Sequence, residues 1–243
     1  EELWKQFFKN VDKSKYNIYI HYKNNKPLKY FEQYKLNNCI ETSYGMHTIS
    51  LAQNIMMKEG LKNNNTHFIM LSGSCIPFKN FNYIYNYLKL DYSYFNKAPD
   101  HQNFPRCNNL LKYIDKKNIK KANTNSILCN NHAKIIIDNE HVIEKYFTNI
   151  MSIDEHIHIT LLHMYTNGKN FILTPNTSYS GATTFAPWSD MSDFKTFKLS
   201  KKTNDFTYEY ICKEELNYLL KSPCLFGRKF KKKAYDSIIN NKQ

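Results

Sequence analysis

The spacing of apolar residues changes several times along the chain, and each change predicts an element. Tyr16-Asn17-Ile18-Tyr19-Ile20-His21-Tyr22 alternates and is rich in β-formers, which predicts a strand. From about Met46 to Leu61 (MHTISLAQNIMMKEGL) the apolar positions fall at helical spacing, with Gly60 and the polar run Lys62 to Thr66 as the expected stop. His67-Phe68-Ile69-Met70-Leu71 is short and continuously apolar, which predicts a buried strand. Ser72-Gly73-Ser74 breaks it and Pro77 bars a helical continuation. Asn80 can then cap a helix from Phe81 to Leu90.

Asp91 to Asn125 is polar, weakly periodic and interrupted by Pro99 and Pro105, so a long irregular excursion is expected. A helix is expected over about Asn131 to Ile150. Ser152-Ile153-Asp154-Glu155 has the spacing of a capping box, with Ser152 as N-cap, and opens a further helix through the apolar HIHITLLHMY. Phe171-Ile172-Leu173 predicts a short strand, and Thr174 to Thr203 a loop-rich stretch. Helices are expected over Lys213 to Lys221 and, on the surface, over Lys231 to Ile239. Cys224-Leu225-Phe226 leads into a basic loop. Strands alternating with helices, with no internal repeat and no flexible linker, predict a single α/β domain over 1–243.

Composition bounds the function. In 243 residues, 42% hydrophobic and 15% aromatic, there is enough apolar material for a sizeable core. The 19 Tyr and 16 Phe are spread along the whole chain, as core and surface aromatics are. The net charge of +13 would attract nucleic acid, an anionic membrane or an anionic small molecule. The basic residues are dispersed, however. The one dense cluster, Arg228-Lys229-Phe230-Lys231-Lys232-Lys233, has no zinc-finger spacing or RNP-like motif beside it, so no nucleic-acid partner is expected. None of the six cysteines stands in a CxxC pair, which argues against a zinc site; the even count leaves three disulfides or buried free thiols open. No apolar run reaches the ~18–20 residues of a membrane span and no signal-peptide pattern opens the chain. Since Glu1 is not an initiator methionine, the sequence also suits the soluble part of an anchored protein.

Three segments carry chemistry together. THFIMLSGSCIPFKNF (66–81), followed by NYIYNYL, resembles the LLS-x-x-CIP-L/F and F-x-x-IY-x-YL signature of the core-2/I-branching β-1,6-N-acetylglucosaminyltransferases. Ser152-Ile153-Asp154-Glu155-His156 is similar to that family's S-P-D-E/V-D-E-H element, and Leu225-Phe226-Gly227-Arg228-Lys229-Phe230 to its LFARKF element. Leu3-Trp4 with Phe7-Phe8, YNIYIHYKN and Trp188-Ser189 extend the resemblance over nearly the whole chain.

The resemblance implies a GT-A-like fold, a mixed and mostly parallel sheet flanked by helices, with the family's first strand missing before Glu1. It implies inverting transfer of a sugar, GlcNAc by the family's name, from a UDP donor to a glycan or glycoprotein hydroxyl. Donors carrying xylose or glucuronic acid, and a degenerate glycan-binding protein without activity, are the alternatives. Glu155 takes the place of the catalytic base, although alone it could simply complete the capping box. Arg228 and Lys229 stand where a basic side chain meets the donor diphosphate. Ser72 and Ser74 belong to the floor of the donor site, where they could bond a ligand or stabilise the turn. Trp188 matches an acceptor-facing tryptophan. The chain has no D-x-D sequence with which to hold a metal–nucleotide complex; the family does without one, so no metal and no cofactor are expected. Members are usually anchored in the Golgi membrane.

Overall fold

The computed structural model describes residues 1–175, 183–186, 200–203, 206–234 and 238. The fold is mixed α/β, with helices around small mixed sheets. The chain forms two compact units that are discontinuous in sequence. One comprises residues 12–70 and 89–173, the other 1–11, 71–88 and 174–243.

The first of these, the larger unit, is built on a four-stranded sheet in the order His67–Ile69, Ile127–Cys129, Ser93–Lys97, Phe171–Pro175. His67 faces Cys129 and Ile69 faces Ile127 in an antiparallel register, and Tyr94 pairs antiparallel with Ile127. The expectation of a mostly parallel sheet is therefore corrected. A parallel pair needs a crossover, usually a helix, between its strands. Here the chain between Ser93–Lys97 and Ile127–Cys129 runs instead through three short 3-10 turns, Asp100–Gln102, Asn108–Lys112 and Lys116–Asn118, and returns beside the strand it left. Helices His47–Leu61, Asn130–Asp138 and Ile157–Thr166 bury Met57, Ile136 and Leu162 with Phe68, Phe95 and Leu128 of the sheet. Each such side chain contributes about 1.5–3 kcal/mol when fully buried. Leu110, Ile114 and Ile119 of the excursion close a second cluster with Ile143, Phe147, Ile153 and Leu161.

Helix His47–Leu61 ends at Leu61 as expected, with Gly60 in its last turn, where the neighbouring Phe68 ring needs a bare Cα. A Cβ on Gly60 would meet the Phe68 ring at 2.5 Å. Local differences from the sequence reading have local causes. Tyr16–Tyr22 is no strand: Ile20 alone bridges to Lys35, with one backbone bond to Tyr34 and one from Leu36. The long helix expected over 131–150 is two, Asn130–Asp138 and His141–Tyr146, parted at Asn139, whose side chain bonds the Ile135 carbonyl.

In the smaller unit Phe226–Gly227 is the central strand, antiparallel to Ile76–Pro77 and parallel to Thr184–Phe185. Lys201–Lys202 and Tyr208–Tyr210 form a second, two-stranded sheet. Asn80 caps the helix Phe81–Tyr87 as expected, its Oδ1 accepting from the Tyr83 N–H at 2.8 Å. Helix Lys213–Lys221 has the bounds read from the sequence. Ile76, Phe78, Phe185, Tyr208, Leu216 and Phe230 make the core. Ala234 and Ile238 join it, while Lys231, Lys232 and Lys233 are exposed. All six cysteines are free thiols, five of them buried. Among the described residues no helix is long and apolar enough to cross a membrane.

Candidate functional site

Glu155 belongs to the larger unit. The capping box expected at Ser152 is not formed. Ser152 has left-handed backbone (φ 58°, ψ 32°) and its side chain makes no cap bond. The left-handed turn is fixed from outside: the Ile153 N–H donates to the Gly45 carbonyl at 3.0 Å. Ile153–Glu155 is a 3-10 turn that runs into the helix Ile157–Thr166. Glu155 is thereby released from capping. Its carbonyl accepts from the Ala122 N–H at 2.9 Å, and its Oε2 lies 3.3 Å from Lys121 Nζ. The carboxylate is 28% exposed, open to solvent yet held by the neighbouring ammonium.

The surroundings of Glu155 mix polar groups with the apolar Phe95, Ala122 and Ile159. Asn123, Thr124, Ser126, Asp154 and His158 line a shallow depression with it. Asn123 Oδ1 accepts from the Asn125 N–H, and Asn125 Nδ2 donates to the Met70 carbonyl at 3.0 Å, which fixes this turn from both sides. His158 Nε2 donates to Asn54 Oδ1 at 2.9 Å, and Asn54 Nδ2 donates to Glu140 at 3.0 Å. His156 Nδ1 donates to the Lys120 carbonyl at 2.9 Å. Burial pushes both imidazoles down to about 4 and keeps them neutral at pH 7. Lys121, the Asn123–Ser126 turn and the Asn54–His158 pair escaped the sequence reading. The signal for the turn was present as a polar NTNS run just ahead of the apolar ILC.

In the smaller unit Ser72 and Ser74 converge with the basic segment. Ser72 Oγ lies 3.1 Å from Ser74 Oγ and 3.2 Å from Cys75 Sγ, so the two hydroxyls serve the turn directly. Burial pushes the Cys75 thiol up, while its bonds from Ser72 and the nearby charge of Arg228 act the other way. The Ser74 carbonyl accepts from the Phe230 N–H at 3.0 Å, and the Phe185 carbonyl accepts from the Arg228 N–H at 2.8 Å. Arg228 and Lys229, each half-buried, leave a backbone that is bonded on both sides. Gly227 lets this strand lie against Phe78, whose ring a Cβ would meet at 2.0 Å. Such a cradle, two cations on a fixed main chain beside two hydroxyls, can hold an anionic oxygen cluster.

Trp188 lies outside the described residues. Among the described residues no cluster of three or more His, Cys, Asp or Glu is placed to hold a metal ion.

Comparison with known proteins gives a family for the chain, although the Arg228–Lys229 segment lies beyond the matched residues. Glycosyltransferase BC10 of Oryza sativa subsp. japonica is 24% identical over 153 residues, a match covering 59% of this chain and 38% of that relative. The chain thus spans less than half of the relative's length. Residues 1–219 match the family described as Core-2/I-Branching enzyme, a stretch that holds the Ser72–Ser74 turn and the Glu155 element alike. The chain belongs to the core-2/I-branching enzyme family.

Proposed function

We propose that the chain carries the catalytic machinery of an inverting glycosyltransferase with a GT-A-like fold, which moves a sugar from a UDP-sugar to a hydroxyl of a glycan or glycoprotein. The observation that carries the reading is Glu155, a partly exposed carboxylate in the matched stretch, held by Lys121 and lining a shallow depression. In the reaction the acceptor hydroxyl gives its proton to Glu155 as its oxygen forms a bond to the donor's anomeric carbon. The bond from that carbon to the diphosphate breaks on the opposite face, and the electron pair leaves with UDP. Ion pairing orients the Glu155 carboxylate without occupying both of its oxygens.

Departure of UDP builds negative charge on the diphosphate. Arg228 and Lys229 supply the compensating positive charge, with Ser72 and Ser74 in the floor beneath the donor, and no divalent ion is required. Trp188 is assigned to acceptor binding by its match to the family's acceptor-facing tryptophan. N-acetylglucosamine is the first donor to test, with xylose and glucuronic acid next in the same chemistry. The test is a panel of UDP-sugars incubated with and without glycan acceptors, reading UDP release and thermal stabilisation. One sugar that gives acceptor-dependent UDP release fixes the donor. Thermal stabilisation by glycans alone, with no UDP release from any donor, would replace the enzyme by a glycan-binding protein.

A further inference from the structure

Glu215 is fully buried on helix Lys213–Lys221, next to the exposed Glu214. An ionised carboxylate is costly to bury unless paired. Glu215 Oε1 accepts both from the Tyr208 hydroxyl at 2.5 Å and from Lys202 Nζ at 3.0 Å. The same ammonium stands 4.5 Å over the Tyr208 ring. A buried ion pair of this kind is a poor source of stability, because apolar residues of similar volume serve as well or better. What it can do is fix one side chain in one place.

That side chain is Tyr208, which is itself fully buried. Its N–H donates to the Lys229 carbonyl and its own carbonyl accepts from the Lys231 N–H, both at 2.9 Å. Its ring stacks on Phe230, with centroids 4.8 Å apart and planes 11° from parallel. Tyr208 thus grips residues 229–231 through backbone and ring, and its hydroxyl is tied to the helix through Glu215. From the other side Ser74 holds Phe230, and Phe185 holds Arg228.

We propose that Glu215, Tyr208 and Lys202 form a buried clamp that positions Lys229 for a nucleoside diphosphate. The three are positioning residues and touch no substrate. The inference rests on the reading of Arg228 and Lys229 as diphosphate ligands. A clamp of this kind confers no affinity of its own. It holds Lys229 in the geometry that binds, so that less ordering is left to do when the ligand arrives. Its loss should therefore be felt only while Lys229 is present to be positioned.

The experiment measures UDP affinity calorimetrically for wild type, Tyr208→Phe, Lys229→Ala and the double variant, with a thermal melt of each. Tyr208→Phe keeps the ring on Phe230 and removes only the hydroxyl. It is expected to weaken UDP about tenfold, equivalent to about 1.4 kcal/mol, and to raise the donor KM with the acceptor KM unchanged. In the double variant the Tyr208 change should add nothing beyond Lys229→Ala, since neighbours that act through one another are not additive. Glu215→Gln, whose amide oxygen can still accept from Tyr208 and Lys202, serves as a second variant, with a smaller loss of the same pattern. If Lys229→Ala weakens UDP but Tyr208→Phe binds like wild type, or if the two losses add, the clamp is overturned and the diphosphate reading stands. If wild type binds no UDP, the diphosphate reading falls and the clamp's role with it.

Discussion

Glu155 shows how a single residue can be legible in type and illegible in setting. The sequence offered two roles for it, capping and catalysis. The structure removes the first, because Ser152 takes left-handed backbone and makes no cap bond. Its partner Lys121 stands 34 positions earlier, on the far side of an excursion with no periodicity to read. Glu155→Gln keeps the shape and loses the basic oxygen, so transfer should fall about 10²–10⁴-fold with UDP affinity little changed. Turnover near wild type in that variant would reject Glu155 as the base. Asp154→Asn, measured alongside, should cost less; an equal or greater loss would move the role to Asp154. Gly227 is a second case. The resembled LFARKF element has alanine there. Against the Phe78 ring the glycine is a requirement of this chain. Gly227→Ala should lower unfolding stability by about 1–3 kcal/mol, the usual scale for overpacking. A urea midpoint equal to that of wild type would show that the Phe78 ring yields freely.

Elements with one buried face were the readable ones. His47–Leu61 and Lys213–Lys221 stand where periodicity put them, and the Asn80-capped helix starts where expected but ends at Tyr87 rather than Leu90. Ile127–Cys129 was missed because it is central and buried at every position, so it shows no alternation, and three apolar residues before a helix merge into that helix. Helix Ile157–Thr166 was found, but its apolar run hides two histidine side chains around its start that are neither ligands nor surface. His156 and His158 are held at about 4 by burial, against about 6.5 in an unfolded chain. Between these values protons bind the unfolded chain and not the folded one. Stability is therefore complete above pH about 6.5, declines as the pH falls toward 4, and gains no further loss from these groups below that. Each unit of displacement is equivalent to about 1.4 kcal/mol. Urea midpoints taken from pH 7.5 to 4 should fall across this window. They should fall less steeply in His158→Gln, whose amide can still donate to Asn54. Equal slopes in the two proteins would place the pH dependence elsewhere.

At the scale of the whole molecule, the proposed base and the proposed cations belong to different compact units. Each half of the chemistry can therefore be removed by its own substitution. The net charge of +13 is diffuse, and at Arg228 and Lys229, the proposed diphosphate ligands, the backbone is fixed on both sides. The sequence contains no D-x-D, so the charge that builds on departing UDP must be met by protein cations, by an ion bound in another way, or by both. An Arg can contact two phosphate oxygens at once and a Lys supplies a mobile point charge. Hydrogen bonds to charged groups are worth about 1.5–3 kcal/mol each, so replacing both by Ala should weaken the donor strongly and slow transfer as well. A salt-screened surface cluster would change almost nothing. Turnover should survive EDTA in the wild type and gain little from added Mn²⁺, and the double variant should be slow in both. Strict dependence on Mn²⁺ in the wild type, with a double variant as fast as its parent, would overturn both the metal-free reaction and the role given to Arg228 and Lys229.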